Sequence, residues 1–486
     1  MAVLANCKPQ DVFKYFEMIC GIPHGSWNEK ALSNAILAWA KDLGLEAYQD
    51  EMWNLVIKKP ATAGYENAPA VILQAHIDMV CEKNADVEFD FDAQGIDIYI
   101  DGDFIKARGT TLGGDNGIGA AMGMAVLADN SLQHPAIEVV LTTVEEAGMD
   151  GAKALDVSIL DGKIFINIDN SDEGIFITGC AGGARVNIAM DMEFEGLPEG
   201  DFTCHEIFVG GLKGGHSGID IHLERANSNK LLARALNSLP MPYFISEISG
   251  GSKDNAIPRE AFAKLCVPQE HKDALLAEIA ALEIVLQKEY KTTEPDLFLR
   301  ATEGKSCACG KIFAPNLQKS LINLLLLIPS GIEHMSADVP ELVETSNNMG
   351  VIRMEGNKIV ITNAVRSSVE TRKHALCARI VAAAQALGAN AAITDGYPGW
   401  QYAPISPIRD NFVRIWTEKF GKTPIIKAIH AGLECGVFAE KLPGLDMIAF
   451  GPNMFDLHTP DERASISSTE KCYSFLKDVL KDIVAF

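Results

Sequence analysis

The sequence predicts an α/β protein of more than one domain, and three observations carry that prediction. Short apolar runs rich in β-branched residues, such as the charge-free Val71–Leu73, alternate with helical patterns, as in the buried sheets of α/β proteins. At 486 residues the chain is longer than one compact core organises. The style of the segments also changes near Ala181 and returns around Pro398, Pro404 and Pro407. These changes divide the chain into 1–180, 181–396 and 397–486.

The first part opens with apolar residues at helical spacing (Val12, Phe13, Phe16, Ile19), broken by Gly21-Ile22-Pro23, then a second helix from Glu29 to Leu43 stopped by Gly44. A strand signal lies within Glu46–Lys58. The central strand follows and ends in Gln74-Ala75-His76-Ile77-Asp78. Ile96–Ile100 and Phe104–Ala107 flank Asp101-Gly102, a hairpin turn signal. Gly109 to Gly119 sets five glycines around Asp115, and a small-residue helix continues from Ile118 to Ala128. Ile137–Thr143 is a further strand, ending in Glu145-Glu146, and Lys163–Asp169 is a fourth, ending in an aspartate.

In the middle part, strand signals at Arg185–Met190 and Glu206–Val209 lead to the glycine-rich Gly210–Gly218, which carries His216. Helices are expected at Arg225–Leu239, Lys272–Tyr290, Leu317–Ile328 and Arg372–Leu387. Strands are expected at Ala261–Val267 and Ala389–Thr394, and a hairpin turns through Glu355-Gly356-Asn357. The pattern reads as two similar strand–helix–strand halves. The last part resumes with a helix over Pro407–Phe420, strands at Ile425–Ile429 and Asp446–Phe450, and a closing helix over Ser467–Val484.

Composition narrows the function classes. The 65 acidic residues against 42 basic give a formal charge of −23, which disfavours nucleic acid and anionic membranes as partners. The densest apolar run, Leu321–Ile328, is interrupted by Asn323 and falls far short of the ~20 residues a membrane helix needs. The N-terminus lacks the basic start and apolar core of a secretory signal. Eleven cysteines without a compact framework fit a reducing cytosol. Cys307-Ala-Cys309, the closest pair, has no zinc-knuckle spacing and is expected as free loop thiols. A soluble, cytoplasmic protein is the expectation.

Residues two apart in an extended segment project to one side, so His76 and Asp78 can address one site. A lone His-x-Asp is more often an ordinary satisfied loop pair. An adjacent Glu-Glu pair is often a solvated turn, and the phosphate-cradling reading of the Asp115 loop fails because no Gly-Lys-Ser/Thr follows. What lifts these motifs is their number. Separate segments end in His76/Asp78, Asp115, Glu145/Glu146 and Asp169, and His458 follows a strand near the C-terminus. Imidazole mixed with carboxylates suits divalent cations, and two neighbouring cations can share a bridging carboxylate.

The ordered set His76-x-Asp78, Gly114-Asp115-Asn116-Gly117, Glu145-Glu146, Asp169, Gly214-Gly215-His216-Ser217-Gly218 and His458 resembles the M20 metallopeptidase family, most of all its long bacterial aminoacyl-histidine dipeptidases. The resemblance runs from Ile22-Pro23 to Glu462 and implies a zinc-peptidase catalytic domain, with a central mixed sheet flanked by helices. An inserted α+β lid domain, which also forms a homodimer, would interrupt it. Two Zn2+ per subunit, replaceable by Mn2+ or Co2+, would be bridged by Asp115, with a cis peptide between Asp115 and Asn116. His76 and Asp169 would complete one ion, Glu146 and His458 the other. Asp78 would orient His76, and Glu145 would act as general base and then acid. His216 would stabilise the tetrahedral intermediate, in its own or the partner subunit. Asn255, Arg366, Gly432 and Glu434 would contact substrate, with His430 a weaker candidate. The implied reaction is hydrolysis of dipeptides, Xaa-His such as β-alanyl-histidine and other unblocked ones. An M20-type amidohydrolase of N-acyl amino acids and a noncatalytic metal-dependent binding protein are the alternatives.

Overall fold

The computed structural model describes residues 2–304 and 310–484, so Cys307 and Cys309 lie outside the described residues. The chain divides into two compact units. Met1–Gly179, Tyr402–Ala428 and Leu433–Phe486 form the first, and Cys180–Gln401 with Ile429–Gly432 the second. The return expected at 397 therefore comes at Tyr402, and a four-residue loop expected in the first unit belongs to the second.

The first unit is built on an eight-stranded mixed sheet. Its order is Glu46–Gln49, Leu55–Lys59, Ile137–Thr142, Val71–His76, Ile164–Asn167, Asp446–Ala449, Ile175–Cys180 and Ile425–Ile429. The four central strands, from Ile137–Thr142 to Asp446–Ala449, run parallel. Parallel strands are covered on both faces, which is why these read as apolar runs rather than alternating ones; Val71–His76 and Ile137–Thr142 are buried at every position. Parallel pairing also sends all four carboxyl ends to one edge.

Helices flank this sheet. Gln10–Cys20 buries the expected stripe Val12, Phe13, Phe16 and Ile19. Gly114–Ala128 is buried almost throughout, as the small and apolar residues that follow Asp115 and Asn116 require. The closing helix Ile466–Asp482 is tied to the earlier part by Phe475, which stacks on Phe176 and meets Phe412 and Trp416 edge to face. The strand signal in Glu46–Lys58 proves to be two antiparallel strands. Asp50 makes the turn, its Oδ1 accepting from the backbone of Met52 and Asn54. Ile175–Cys180 escaped the sequence reading, because Thr178-Gly179 interrupts its apolar pattern.

The second unit carries an antiparallel sheet, in the order Phe298–Glu303, Phe202–Gly210, Ala261–Pro268, Phe244–Gly250, Val343–Glu355, Lys358–Ser367, Gly182–Asp191 and Asn390–Tyr397, with Gly331–Met335 beside Val343–Glu355. Its two halves are richer than strand–helix–strand. Each runs strand, helix, two strands, helix, strand, and each orders its strands last, first, third, second from the outer edge inward. One half (Phe202–Glu303) sits in sequence between the first strand and first helix of the other, Gly182–Asp191 and Pro315–Leu327. The halves meet where Gly250 pairs with Ile352. Cys204 and Cys266 face each other across paired strands and are disulfide-bonded, where the sequence suggested thiols throughout.

Candidate metal centre

The parallel strands deliver the candidate ligands. His76 closes Val71–His76, Asp169 follows Ile164–Asn167, Glu145 and Glu146 follow Ile137–Thr142, and His458 follows Asp446–Ala449 through a longer loop. Sites in open α/β sheets form beyond such carboxyl ends. Asp115 arrives from the start of the Gly114–Ala128 helix, where Gly113 is left-handed (φ 71°) and Asp115 and Asn116 depart from helical angles. The Asp115–Asn116 peptide is cis.

These residues converge. His76 Nε2 lies 3.2 Å from Asp115 Oδ1 and 3.8 Å from Asp169 Oδ1. His458 Nε2 lies 3.4 Å from Asp115 Oδ2 and 2.8 Å from Glu146 Oε1. Asp115 thus addresses a different histidine with each oxygen. Two sets of ligand atoms, His76–Asp115–Asp169 and Asp115–Glu146–His458, each lie within 4.8 Å of one another. A third, His76–Glu145–Glu146, includes Glu145, which the resemblance keeps out of coordination.

The electrostatics fit cations. Burial, with Asp115 and Glu434 nearby, pushes Asp169 well above the usual carboxylate range. Burial, with Asp169, Glu434 and Glu146, does the same to Glu145, against an opposing pull from His76. Hydrogen bonds to Asp115 and Glu146 raise His458 to about 10. His76 also rises, since Asp169, Asp115 and Asp78 outweigh its burial. Burial opposes ionisation of Asp115 too, but the two histidines hold it well below the usual range. Carboxylates crowded this closely need positive charge between them, and protons on the histidines are a poor substitute for divalent ions. The donor set, two imidazoles and several carboxylates, fits zinc and its neighbours.

Asp78 does more than orient His76. Nδ1 of His76 faces the Asp78 carbonyl at 3.0 Å and Oδ1 at 3.2 Å, leaving Nε2 for the site. The same carboxylate accepts the backbone N–H of Glu145 (2.9 Å) and Glu146 (3.1 Å) and the Ser26 hydroxyl (2.8 Å). It therefore fixes one ligand and the turn carrying the other two acids. Glu29, fully buried, accepts the N–H of Val144 at 3.0 Å and holds that turn from behind; Val144 itself has φ 55°. Neither Ser26 nor Glu29 was picked out in the sequence. Their only signal is the Ser26-Trp27-Asn28-Glu29 stretch, which reads there as the start of a helix.

The second unit gathers another group. His216 pairs in register with Ala256, and Ser217 N–H donates to the Asn255 carbonyl at 2.8 Å, so His216 and the exposed Asn255 are neighbours. His216 Nδ1 accepts from the N–H of Gly218 (3.2 Å) and Ile219 (3.0 Å), which fixes the neutral tautomer with a proton on Nε2. Burial and the Arg366 charge lower its pKa. A Cβ on Gly218 would sit 2.3 Å from the His430 carbonyl and 3.1 Å from both Arg366 Nε and His216 Cε1, so only glycine lets these residues close up. Arg366 is buried, with Nη1 on the Tyr397 hydroxyl at 2.9 Å, and is no surface arginine. His430 is buried, its Nε2 2.7 Å from Ser346 Oγ.

Gly432 lies in the second unit and Glu434 in the first. Glu434 is fully buried; its Oε2 accepts from Gln74 Nε2 (2.5 Å) and Thr142 Oγ1 (2.6 Å), while Oε1 has no hydrogen-bond partner among the described residues. The residue expected to contact substrate is thus buried beneath the candidate ligands, one oxygen bracing Gln74 and Thr142 and the other unpaired. Burial raises it to about 7.

Residues 72–482 match the family described as Peptidase family M20/M25/M40. The chain belongs to that family. This M20 chain is 39% identical, over all of both chains, to the cytosol non-specific dipeptidase of Escherichia coli K12. It superposes on the crystal structure of aminoacylhistidine dipeptidase from Vibrio alginolyticus with a TM-score of 0.92 and 39% identity, covering 98% of this chain and 97% of that one. The aminopeptidase PepT of Bacillus cereus shares the fold at a TM-score of 0.57 and 16% identity, over 99% of this chain and 100% of that chain.

Proposed function

We propose that this M20 chain is a metal-dependent dipeptidase that cleaves unblocked dipeptides, Xaa-His among them, and works with two divalent ions, Zn2+ by preference with Mn2+ or Co2+ able to replace it. The observation carrying this reading is that Asp115 directs its two oxygens to two histidines, each in its own ligand triad. The relatives named above supply the substrate class. His76, Asp115 and Asp169 would hold one ion, and Asp115, Glu146 and His458 the other.

When bound, two such ions polarise the scissile carbonyl and acidify the attacking water. Glu145 takes the water's proton and passes it to the departing amine. Its high proton affinity in the buried, acid-rich site suits the second half of that task, and positive charge nearby brings it back towards the range where a base works at neutral pH. His216, neutral with its proton on Nε2, is a donor for the oxyanion, in its own or a partner subunit. Arg366 and Asn255 suit the C-terminal carboxylate of a short peptide. The second unit serves as lid and dimerisation domain, and the protein works in the cytoplasm as a homodimer.

The deciding experiment assays metal-reconstituted protein against a panel including β-alanyl-histidine, other unblocked dipeptides and N-acyl amino acids. Cleavage of dipeptides with Glu145→Gln inactive is expected. Cleavage of N-acyl amino acids alone would overturn the proposal.

A further inference from the structure

We propose that Glu462 is a positioning residue that locks the bridging loop of Asp115 to the loop of His458 and thereby sets the affinity of the ion held by Asp115, Glu146 and His458. This inference rests on the two-ion reading above.

Glu462 is 3% exposed and lies four residues beyond His458. Its carboxylate is filled by backbone. Oε2 accepts from Leu112 N (2.7 Å) and Gly113 N (3.2 Å), and Oε1 from Gly114 N (2.9 Å) and Asp115 N (3.3 Å). Four successive N–H groups around a left-handed Gly113 form an anion-binding concavity at the head of a helix. Here the anion comes from the chain itself, 347 residues from Asp115 in sequence. Burial and the nearby Asp115 charge raise the Glu462 carboxyl to about 7, while its hydrogen bonds from Leu112, Gly113 and Asp115 favour the ionised form. The bond to Asp115 N fixes the backbone of the very residue whose side chain faces both histidines.

At its other end the clamp holds His458. Glu462 N–H donates to the Thr459 carbonyl at 3.1 Å, and Arg463–Ser465 then pairs with Phe104–Ala107. Just ahead of these anchors Asp456 and His458 both have positive φ (53° and 61°), a backbone that non-glycine residues adopt only under constraint. The His458 side chain is 48% exposed, whereas that of His76 is 1% exposed and independently held by Asp78. Losing the clamp reaches both ions through Asp115, but it therefore falls more heavily on the one that pairs Asp115 with the loosely held His458 than on the one that pairs it with His76. Glu462 marks the end of the family resemblance in the sequence, but nothing there gives it this role, because its four partners lie in a distant loop.

The test titrates metal-free protein with Zn2+ alone, calorimetrically and against a chelator of known affinity, for the unaltered chain, Glu462→Gln and Gly114→Ala. In Gly114→Ala the charge stays, and the new Cβ would lie 3.3 Å from Glu462 Oε1. We expect one of two ions to weaken at least ~10-fold in both variants while the other stays within about threefold, in line with outer-layer changes at metal sites. Two ions bound as tightly as in the unaltered chain, or equal weakening of both, would overturn the proposal. Should Glu462→Gln fail to fold by circular dichroism, Gly114→Ala decides by the same criterion. A single ion in the unaltered chain would instead overturn the two-ion reading itself.

Discussion

Asp78→Asn isolates how far one carboxylate governs the centre. Oδ1 serves His76 Nδ1 and the Glu145 N–H, and Oδ2 serves the Glu146 N–H and the Ser26 hydroxyl. An asparagine fits the same space with one oxygen and one NH2. If the NH2 replaced Oδ1, two donors would face it. If it replaces Oδ2, the Ser26 hydroxyl can turn to accept, and only the Glu146 N–H is stranded. The second arrangement wins, and the loss is one hydrogen bond to a charged acceptor, about 1.5–3 kcal/mol. At ~1.4 kcal/mol per tenfold, that is roughly 10- to 150-fold. The fall should appear in kcat/KM for a dipeptide and in Zn2+ affinity by chelator competition, with the fold intact by circular dichroism. Values within threefold of the unaltered protein on both counts would refute the view that Asp78 holds the Glu145–Glu146 turn as well as His76.

Asp115→Ala is expected to lose both ions in metal analysis, whereas Glu145→Ala keeps them and loses turnover. His216→Ala should lower kcat by ~10²–10³, the usual effect of deleting an oxyanion donor, with metal content unchanged. Burial and the charge of Arg366 lower His430 to about 3, so below its unfolded pKa near ~6.5 the unfolded chain binds a proton that the folded one refuses. Stability then falls as pH falls, by about 2 kcal/mol between pH 7 and 5, and His430→Asn should flatten the pH dependence of urea unfolding by that amount.

The metal centre was legible because parallel buried strands are apolar until they end. His76, Glu145, Glu146 and Asp169 each break such a run, and His458 follows one at a distance. The buried strands of an α/β sheet followed from the same runs, and its mixed order from the family resemblance. Strands such as Phe244–Gly250 were missed, because Ser246, Glu247 and Ser249 dilute the apolar signal on a partly exposed face. The groups that hold the ligands were illegible for another reason. Ser26, Glu29 and Glu462 act on backbone N–H or on side chains 52 to 350 residues away, and no local spacing reports such contacts. Glu434 was named only by the family resemblance, and its inward turn to Gln74 and Thr142 is again a contact at long range in sequence.

The order of strands in the second unit makes the chain a set of nested brackets. The half spanning Phe202–Glu303 closes on itself from residues near in sequence, whereas its host must pair Gly182 with Ser367, and the first unit must add Asp446–Ala449 to strands finished before residue 168. Distant pairings close late, since their loop entropy precedes any reward, and a growing chain offers its N-terminal parts first. Assembly therefore runs from the inside outward. A nascent chain stopped short of residue 458 already carries His76, Asp115 and Asp169 but has no His458, so under the two-ion proposal the site shared with His458 would be completed only after residue 458 is made.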